Sequence, residues 1–403
     1  MTTHAPHVTR MLPPSMIVAR ISLAGIMTAL VLFGRVEETL PQMYASLGVL
    51  LGLYFLARGA SILDSIIAYA TSPLLRIRWL FLLWAGASML WSPHHGPTAL
   101  SHLSTLLEIH LLGLVFYDAS RTLGQLRWIL LALVVTVVLG TAETLWTGLS
   151  ADVMRLSGHY GNPNVFAVMS LLAFAAILSG VNLGRGTWGK ILSYAAILVI
   201  GGGVVASTSR KGVLGVPLMC VLTMVVPSTR KRGAIAAVLL VVSLVIVNAT
   251  GGALQRFWGF CVERTVAVFN WFSAVGSVDG SLIDRGRLLA EGATLIVQSP
   301  FVGHGLDSFY WISGEALYTH SNYVELSVAL GLIGVLLYYG LHAQLIRKSL
   351  VRGVRRLPGA RFTFFLIFLM ICLDIALVSY RMKLPTLLMI ACAGWLEGAR
   401  ERE

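Results

Sequence analysis

His320, Ser321 and Asn322 stand in a row, and Glu325 follows three residues after the asparagine, in "YTHSNYVELSVALGLIG" (318–334). An imidazole titrates near neutral pH, so a histidine so placed can take a proton from a hydroxyl. The chain then turns apolar, which puts the polar row at the mouth of a hydrophobic helix. Capping accounts for part of it. Thr319 or Ser321 can satisfy the free N–H groups of the first turn, and Glu325 complements the helix dipole. Extending the helix back one turn puts His320, Val324, Ser327, Gly331 and Gly334 on one face. Ser327, Gly331 and Gly334 are small, which suits close helix packing. His320 then points over a helix seam, either as a base or as a satisfied structural histidine.

Cations recur elsewhere. Arg210 and Lys211 lie in "STSRKGVLG" (207–215), a tight turn whose Ser207, Thr208 and Ser209 are candidate caps. The pair reads either as interfacial snorkelling or as an anion site. Arg285 and Arg287 flank a glycine in "DRGRLLAEG" (284–292), where Asp284 and Glu291 offer local ion pairs instead. In "SGHYGNPNVFAV" (157–168), Asn162 can cap a helix and Pro163 suits its first turn. Asn164 belongs to the same segment. His159 there is a ligand, a base or a surface residue. Glu108, His110 and Asp374 fall inside apolar stretches. A charge at mid-membrane costs about 2.5–3.5 kcal/mol on insertion scales, so these residues should face the bundle interior, as buried pairs or a proton path.

These groups need a scaffold, and composition says which. The chain has 403 residues, 57% of them hydrophobic and 12% charged. Soluble domains are nearer a quarter charged. Apolar runs predict about twelve transmembrane helices, over 16–33, 40–57, 75–91, 99–117, 127–146, 163–181, 190–206, 212–226, 233–249, 321–341, 361–380 and 384–398. The first of these reads as a span and not as a cleaved leader. The Lys/Arg bias, strongest in "STRKRG" (228–233) and "RKSLVRGVRRLPGAR" (347–361), predicts both termini in the cytoplasm. The net charge of +12 is therefore loop charge and does not point to nucleic acid. Cysteine spacing implies neither a disulfide framework nor a metal site.

Three regions follow: helices one to nine over 1–249, a large loop on the non-cytoplasmic side over 250–320, and helices ten to twelve with a tail over 321–403. Within the loop, 254–272 carries aromatics at helical spacing. Residues 281–300 read as an amphipathic helix stopped by Pro300, and "GHGLDSF" (303–309) reads as a glycine turn. No Asp-x-Asp element stands in the outer loops, so no metal or other cofactor is expected.

The motifs together resemble the O-antigen ligase and polymerase superfamily. "HSNYVELSVALGLIG" (320–334) is similar to its His-Ser/Asn-x-x-Glu-x(5)-Gly-x-x-Gly signature, "GNPN" (161–164) to its Asn-Pro-Asn element and "TSRKG" (208–212) to its Ser-Arg-x-Gly element. "GRLLAEGATLIVQSPFVGHGLDSF" (286–309) is similar to its Gly-Arg…Pro-x-x-Gly-x-Gly segment. They stand in the family's order with its long loop before the histidine, and they cover about the last 250 residues.

Within the superfamily the resemblance points to bacterial lipopolysaccharide O-antigen ligases. It implies a GT-C-like membrane glycosyltransferase of the bacterial inner membrane with its site facing the periplasm. The donor would be a glycan on undecaprenyl pyrophosphate and the acceptor the sugar of lipid A–core. His320 matches the family's catalytic histidine, Arg210 the arginine of the turn and Arg287 that of the loop helix. Arg285, two residues away and equally basic, is a rival, and Lys211 is a neighbouring candidate. Ser321, Asn322, Glu325, His159, Asn162 and Asn164 are candidates for support. An O-antigen polymerase would use the same donor. A twelve-helix transporter, with Glu108, His110 and Asp374 as proton relay, is the reading from another class. It lacks the paired halves such transporters carry.

Overall fold

The computed structural model describes residues 13–32, 40–93, 96–150, 157, 161–184, 186–207, 209–249, 280–314, 318–351 and 353–400. Among them every regular element is a helix, as the backbone demands where lipid offers it no hydrogen bonds. In chain order these are α1 (Pro14–Leu32), α2 (Leu40–Arg58), α3 (Ser61–Thr71), α4 (Arg76–Ser88), α5 (Pro97–Arg121), α6 (Leu126–Ser150), α7 (Pro163–Ser179) and α8 (Gly186–Ser207). They continue with α9 (Arg210–Val225), α10 (Arg230–Ala249), α11 (Gly280–Gln298), α12 (Ser308–Ile312), α13 (Asn322–Ser349), α14 (Pro358–Leu373) and α15 (Lys383–Arg400).

Six described helices are long and apolar enough to cross a membrane: α1, α2, α5, α6, α8 and α13. Two bent pairs bring the number to eight, α3 with α4 at 73° and α9 with the start of α10 at 117°. The helices α7 and α14 are apolar but shorter. The expected span over 75–91 is thus the second arm of a bent pair. Its break at Ser72–Leu75 follows Pro73, whose ring forbids a regular helix through that point. The aromatic stretch 254–272 lies outside the described residues.

Close packing joins α5 to α15. Gly113 faces Ile390, Gly394 faces the Tyr117 backbone and Gly398 faces the Arg121 carbonyl, so a side chain at any of the three would collide. Where α5 and α15 finish, two carboxylates tie the helices together. Asp118 accepts from Arg58 Nε (2.7 Å) and Nη2 (2.9 Å), Tyr54 Oη (2.5 Å) and Ser65 Oγ. Glu397 accepts from Ser72 Oγ (2.8 Å), Leu74 N (3.3 Å) and Tyr117 Oη (2.5 Å). Buried carboxylates hold only when so many donors replace water.

The helix α13 is not the single continuous face expected from the sequence. It begins at Asn322, one turn later than the extended reading. It breaks at Gly331, whose φ of 63° and ψ of −170° no helix contains. The two arms fold back on each other. Tyr323 and Tyr339, eight residues either side of Gly331, stack with centroids 5.0 Å apart. At the bend, Leu332 N and Ile333 N donate to the carbonyls of Pro300 and Phe301. His304 N and Gly305 N donate to Val328 and Ala329. A Cβ on Gly331 would meet the Phe301 carbonyl, and only glycine takes this φ without strain. Gly331 is therefore both the bend and a point of close approach to Phe301, and the break leaves no single helical face that joins His320 and Val324 to Gly331 and Gly334.

Candidate active site

His320 sits two residues before α13 with φ 60°, a left-handed conformation that a histidine adopts only when its neighbours impose it. Both flanks are bolted down. Before it, Thr319 donates to Glu325 Oε2 from its backbone N (3.0 Å) and from Oγ1 (2.9 Å). After it, Asn322 N donates to the Asp374 carbonyl (2.8 Å). The Asn322 Nδ2 group donates to Tyr339 Oη (2.9 Å) and Asp374 Oδ2 (3.2 Å), and its Oδ1 accepts from Ser379 N and Tyr380 N. Ser321 occupies the N-cap position, but its hydroxyl lies against the Asp374 carbonyl and does not cap the helix. Ser321, Asn322 and Glu325 are thus spent on holding the backbone around His320. Asp374 is not inside the eleventh span as expected. It follows the last turn of α14 and serves this knot.

Two motifs distant in sequence meet at the start of α9. Asn162 caps α7 through Asn164 N (2.9 Å), as expected. Asn164 Oδ1 accepts from Ser209 Oγ (2.9 Å), which ties the start of α9 to that of α7. Gly212 and Gly215 let α9 close on Val204 and Leu171. Arg210 and Lys211, half-buried in the first turn of α9, are aimed by this junction. Ser209 holds Asn164 instead of capping α9 with its side chain. His159 and Thr208 lie outside the described residues.

The helix α11 approaches from the loop side. Its Gly292 presses on Val324 and Thr319 of the α13 entry, and Leu288 and Leu295 pack with Phe309 and Val328. Arg285 is seven residues before Gly292, two helical turns, and so shares this inward face. Arg287 falls on the opposite side and is exposed. Lys211 and Arg285 are the cations that bear on His320. Burial, then Arg285 and Lys211, lower its pKa to about 4. The imidazole is therefore neutral at pH 7 and carries a free lone pair. The structure brings together His320, Lys211 and Arg285. It sets Arg210 next to Lys211 in the same turn and turns Arg287 to the outside.

A second group packs beside the histidine, and two of its members, His102 and Arg381, lie outside the motifs. The Tyr318 ring packs on His320, centroids 4.3 Å apart. The Arg381 guanidinium lies 5.7 Å from the Tyr318 centroid. Arg381 also contacts the His102 ring, and His102 Nδ1 is 3.1 Å from Asp307 Oδ1. Asp307 takes a left-handed conformation at the start of α12, φ 63°. Burial raises its pKa, but hydrogen bonds from His102 and Thr98 and the Arg381 charge outweigh this and hold it below the ordinary value. Only Asp307 lay within a recognisable segment. His102 and Arg381 meet across more than half the chain, and spacing carries no signal of that.

Two of the other polar groups singled out in the sequence have local contacts. Glu108 Oε2 bonds Lys383 Nζ at 2.8 Å, beside Tyr44. His110 Nδ1 lies 2.7 Å from the Leu106 carbonyl, with its ring on Trp79. Glu108 is paired with Lys383, whereas Asp374 belongs to the knot around Asn322 and lies apart from it in the chain.

Comparison with known proteins adds one match. Residues 195–339 match the family model described as O-antigen ligase. No curated protein matches the chain. The matched stretch runs from the middle of α8 to Tyr339. It holds Arg210, Lys211, Arg285, Arg287 and His320, and leaves Asn162, Asn164, His102 and Arg381 outside.

Proposed function

We propose that this multi-pass membrane protein, whose residues 195–339 belong to the O-antigen ligase family, transfers a glycan from undecaprenyl pyrophosphate to a sugar hydroxyl of lipid A–core. The observation that carries the reading is the convergence of Lys211 and Arg285, from two separate elements, on a neutral His320. In the proposed step the acceptor oxygen forms a bond to the anomeric carbon, and the bond from that carbon to the pyrophosphate oxygen breaks. The hydroxyl proton passes to His320, and undecaprenyl pyrophosphate leaves with the electron pair. Direct attack inverts the anomeric centre. The leaving charge is stabilised by Lys211, Arg285 and Arg210, fixed donors in a partly desolvated site. These cations take the part that a divalent metal plays in other transferases, so the reaction is proposed to be metal-independent. Arg287 is left an outer role in guiding the donor.

Burial, and after it the field of the two cations, weakens His320 as a base in the free protein. An arriving pyrophosphate neutralises that field and raises the proton affinity of the imidazole. The donor thus arms its own base. On this reading twelve helices cross the bacterial inner membrane. The termini are cytoplasmic, and the site faces the periplasm.

The test is transfer by the purified protein given lipid-linked glycan and lipid A–core. A single addition supports the ligase, and a growing ladder on the donor lipid supports a polymerase in its place. Loss of transfer in EDTA that Mg²⁺ restores would overturn the metal-free step. Substrate flux in vesicles with no covalent product would return the transporter.

A further inference from the structure

We infer that the end of the bundle where α7 finishes carries a binding site for the phosphodiester of an anionic phospholipid. Two guanidiniums meet there from separate helices. Arg232 lies in the first turn of α10 and Arg361 in the first turn of α14. Both reach Gly180, the left-handed residue that ends α7 at φ 117°. Arg361 Nη2 lies 2.9 Å, and Arg232 Nη1 3.4 Å, from the point that a Cβ on Gly180 would occupy. The glycine thus keeps open the space between the two charges.

Like charges so close repel, and the charge of Arg232 bears on Arg361. The bonds that the pair makes are to neutral groups. Arg232 Nη1 donates to the Ile177 carbonyl (3.2 Å) and Arg361 Nη1 to Ser228 Oγ (3.0 Å). Arg361 Nε is buried and finds no acceptor among the described residues. Helix capping does not account for the pair, because Gly180 N and Val181 N already donate to the Ile177 and Ala176 carbonyls. Among the described residues no carboxylate is paired with either arginine. The segments 180–190, 226–236 and 350–361, which hold the pair and Gly180, contain basic residues and no acidic one. Arg230 and Lys231, exposed in the same turn of α10, add to the positive charge. Two converging guanidiniums of this kind suit an anion with several oxygens, which each can grip by more than one N–H.

The surface beside them is apolar. Met224 and Val225, at the end of α9, are 42% and 65% exposed, and Leu357, just before α14, is 40% exposed. Arg230 Nε donates to the Met224 carbonyl (2.9 Å), which joins this apolar edge to the basic turn. A phospholipid meets both requirements, with phosphate oxygens between Arg232 and Arg361 and acyl chains along Met224 and Val225. A headgroup with no cation of its own, such as phosphatidylglycerol, is favoured, since a choline would face the same positive charge. Inorganic phosphate offers the charge without the chains. The 17 residues of α7 set this place about 25 Å from the Asn164–Ser209 junction that aims Lys211.

The full-length protein, stripped of lipid in neutral detergent, is followed by native mass spectrometry and thermal unfolding. Short-chain phosphatidylglycerol, short-chain phosphatidylcholine or inorganic phosphate is then added. Wild type should retain phosphatidylglycerol over phosphatidylcholine and unfold at a higher temperature with it. Arg232→Gln with Arg361→Gln should weaken that retention about thirtyfold, and Arg361→Gln alone about fivefold, at roughly a factor of five per charge. Each variant is compared with itself without lipid, so the loss of the Ile177 and Ser228 bonds does not enter the comparison. Should the double variant not fold, the single one decides. If inorganic phosphate stabilises wild type more than either variant and displaces the lipid, the site stands and its ligand is the free anion. Equal retention of phosphatidylglycerol by wild type and Arg361→Gln overturns the site. So does a phosphate effect that wild type and variants share, or wild type that holds the two lipids equally. The readout is binding alone, so it stands whether or not the reaction at His320 is as proposed.

Discussion

The two ends of the bundle use the same residue types in opposite ways. Where α5 and α15 finish, Asp118 is met by donors from α2 and α3, one of them the charged Arg58, and Glu397 by neutral donors from the α3–α4 break and α5. Where α9 begins and α11 docks, Lys211 and Arg285 bear on a histidine that burial keeps neutral. The first arrangement is complete and locks helices together. The second presents positive charge to whatever anion enters.

Substitutions at the two ends should therefore fail in different ways. The largest effect is expected at His320. His320→Ala should lower the transfer rate about 10²- to 10⁴-fold while leaving thermal unfolding unchanged, as for loss of a general base. A variant that transfers near the wild-type rate would remove the base assignment. At the other end, Asp118→Ala should destabilise the fold by about 3–5 kcal/mol, because it strands the buried Arg58. Unfolding in denaturant reads this, and activity per folded molecule should hold.

Between the arginines of α11 the comparison sharpens. Arg285→Gln should cost about 10²-fold in kcat/KM, in the range for one lost oxyanion donor. Arg287→Gln should cost a few-fold at most, as for a rim charge that steers the substrate. The reverse order would turn α11 around. The smallest effect is in pH dependence. The acid limb of kcat/KM should fall near pH 4, since His320 binds its proton only below that value in the free protein. The limb of kcat should lie at higher pH, because bound pyrophosphate offsets Lys211 and Arg285. Coincident limbs would show that the donor does not rearm the base.

Much of this was legible in the residues. Apolar runs located the helices, Asn162 and Pro163 marked the start of α7, and Pro300 marked the end of α11. The inward face of α11 was also within reach. Arg285, Leu288, Gly292 and Leu295 recur at helical spacing, and Arg287 falls outside that row. The chain reversal at Gly331 was not legible. A glycine beside small residues reads equally as close packing, and only the carbonyls of Pro300 and Phe301, thirty residues upstream, decide the matter. The same holds for His102, Asp307 and Arg381. Their meeting depends on which helix ends the fold gathers, and local pattern is silent on that.

The reversal at Gly331 also sets a reach. Because Asn322 bonds Tyr339, the residue two after the histidine lies alongside the eighth residue past the bend, about 12 Å along the helix axis from Gly331. A chain that could not turn at Gly331 would part Asn322 from Tyr339, and the backbone around His320 would lose one of the clasps that fix it.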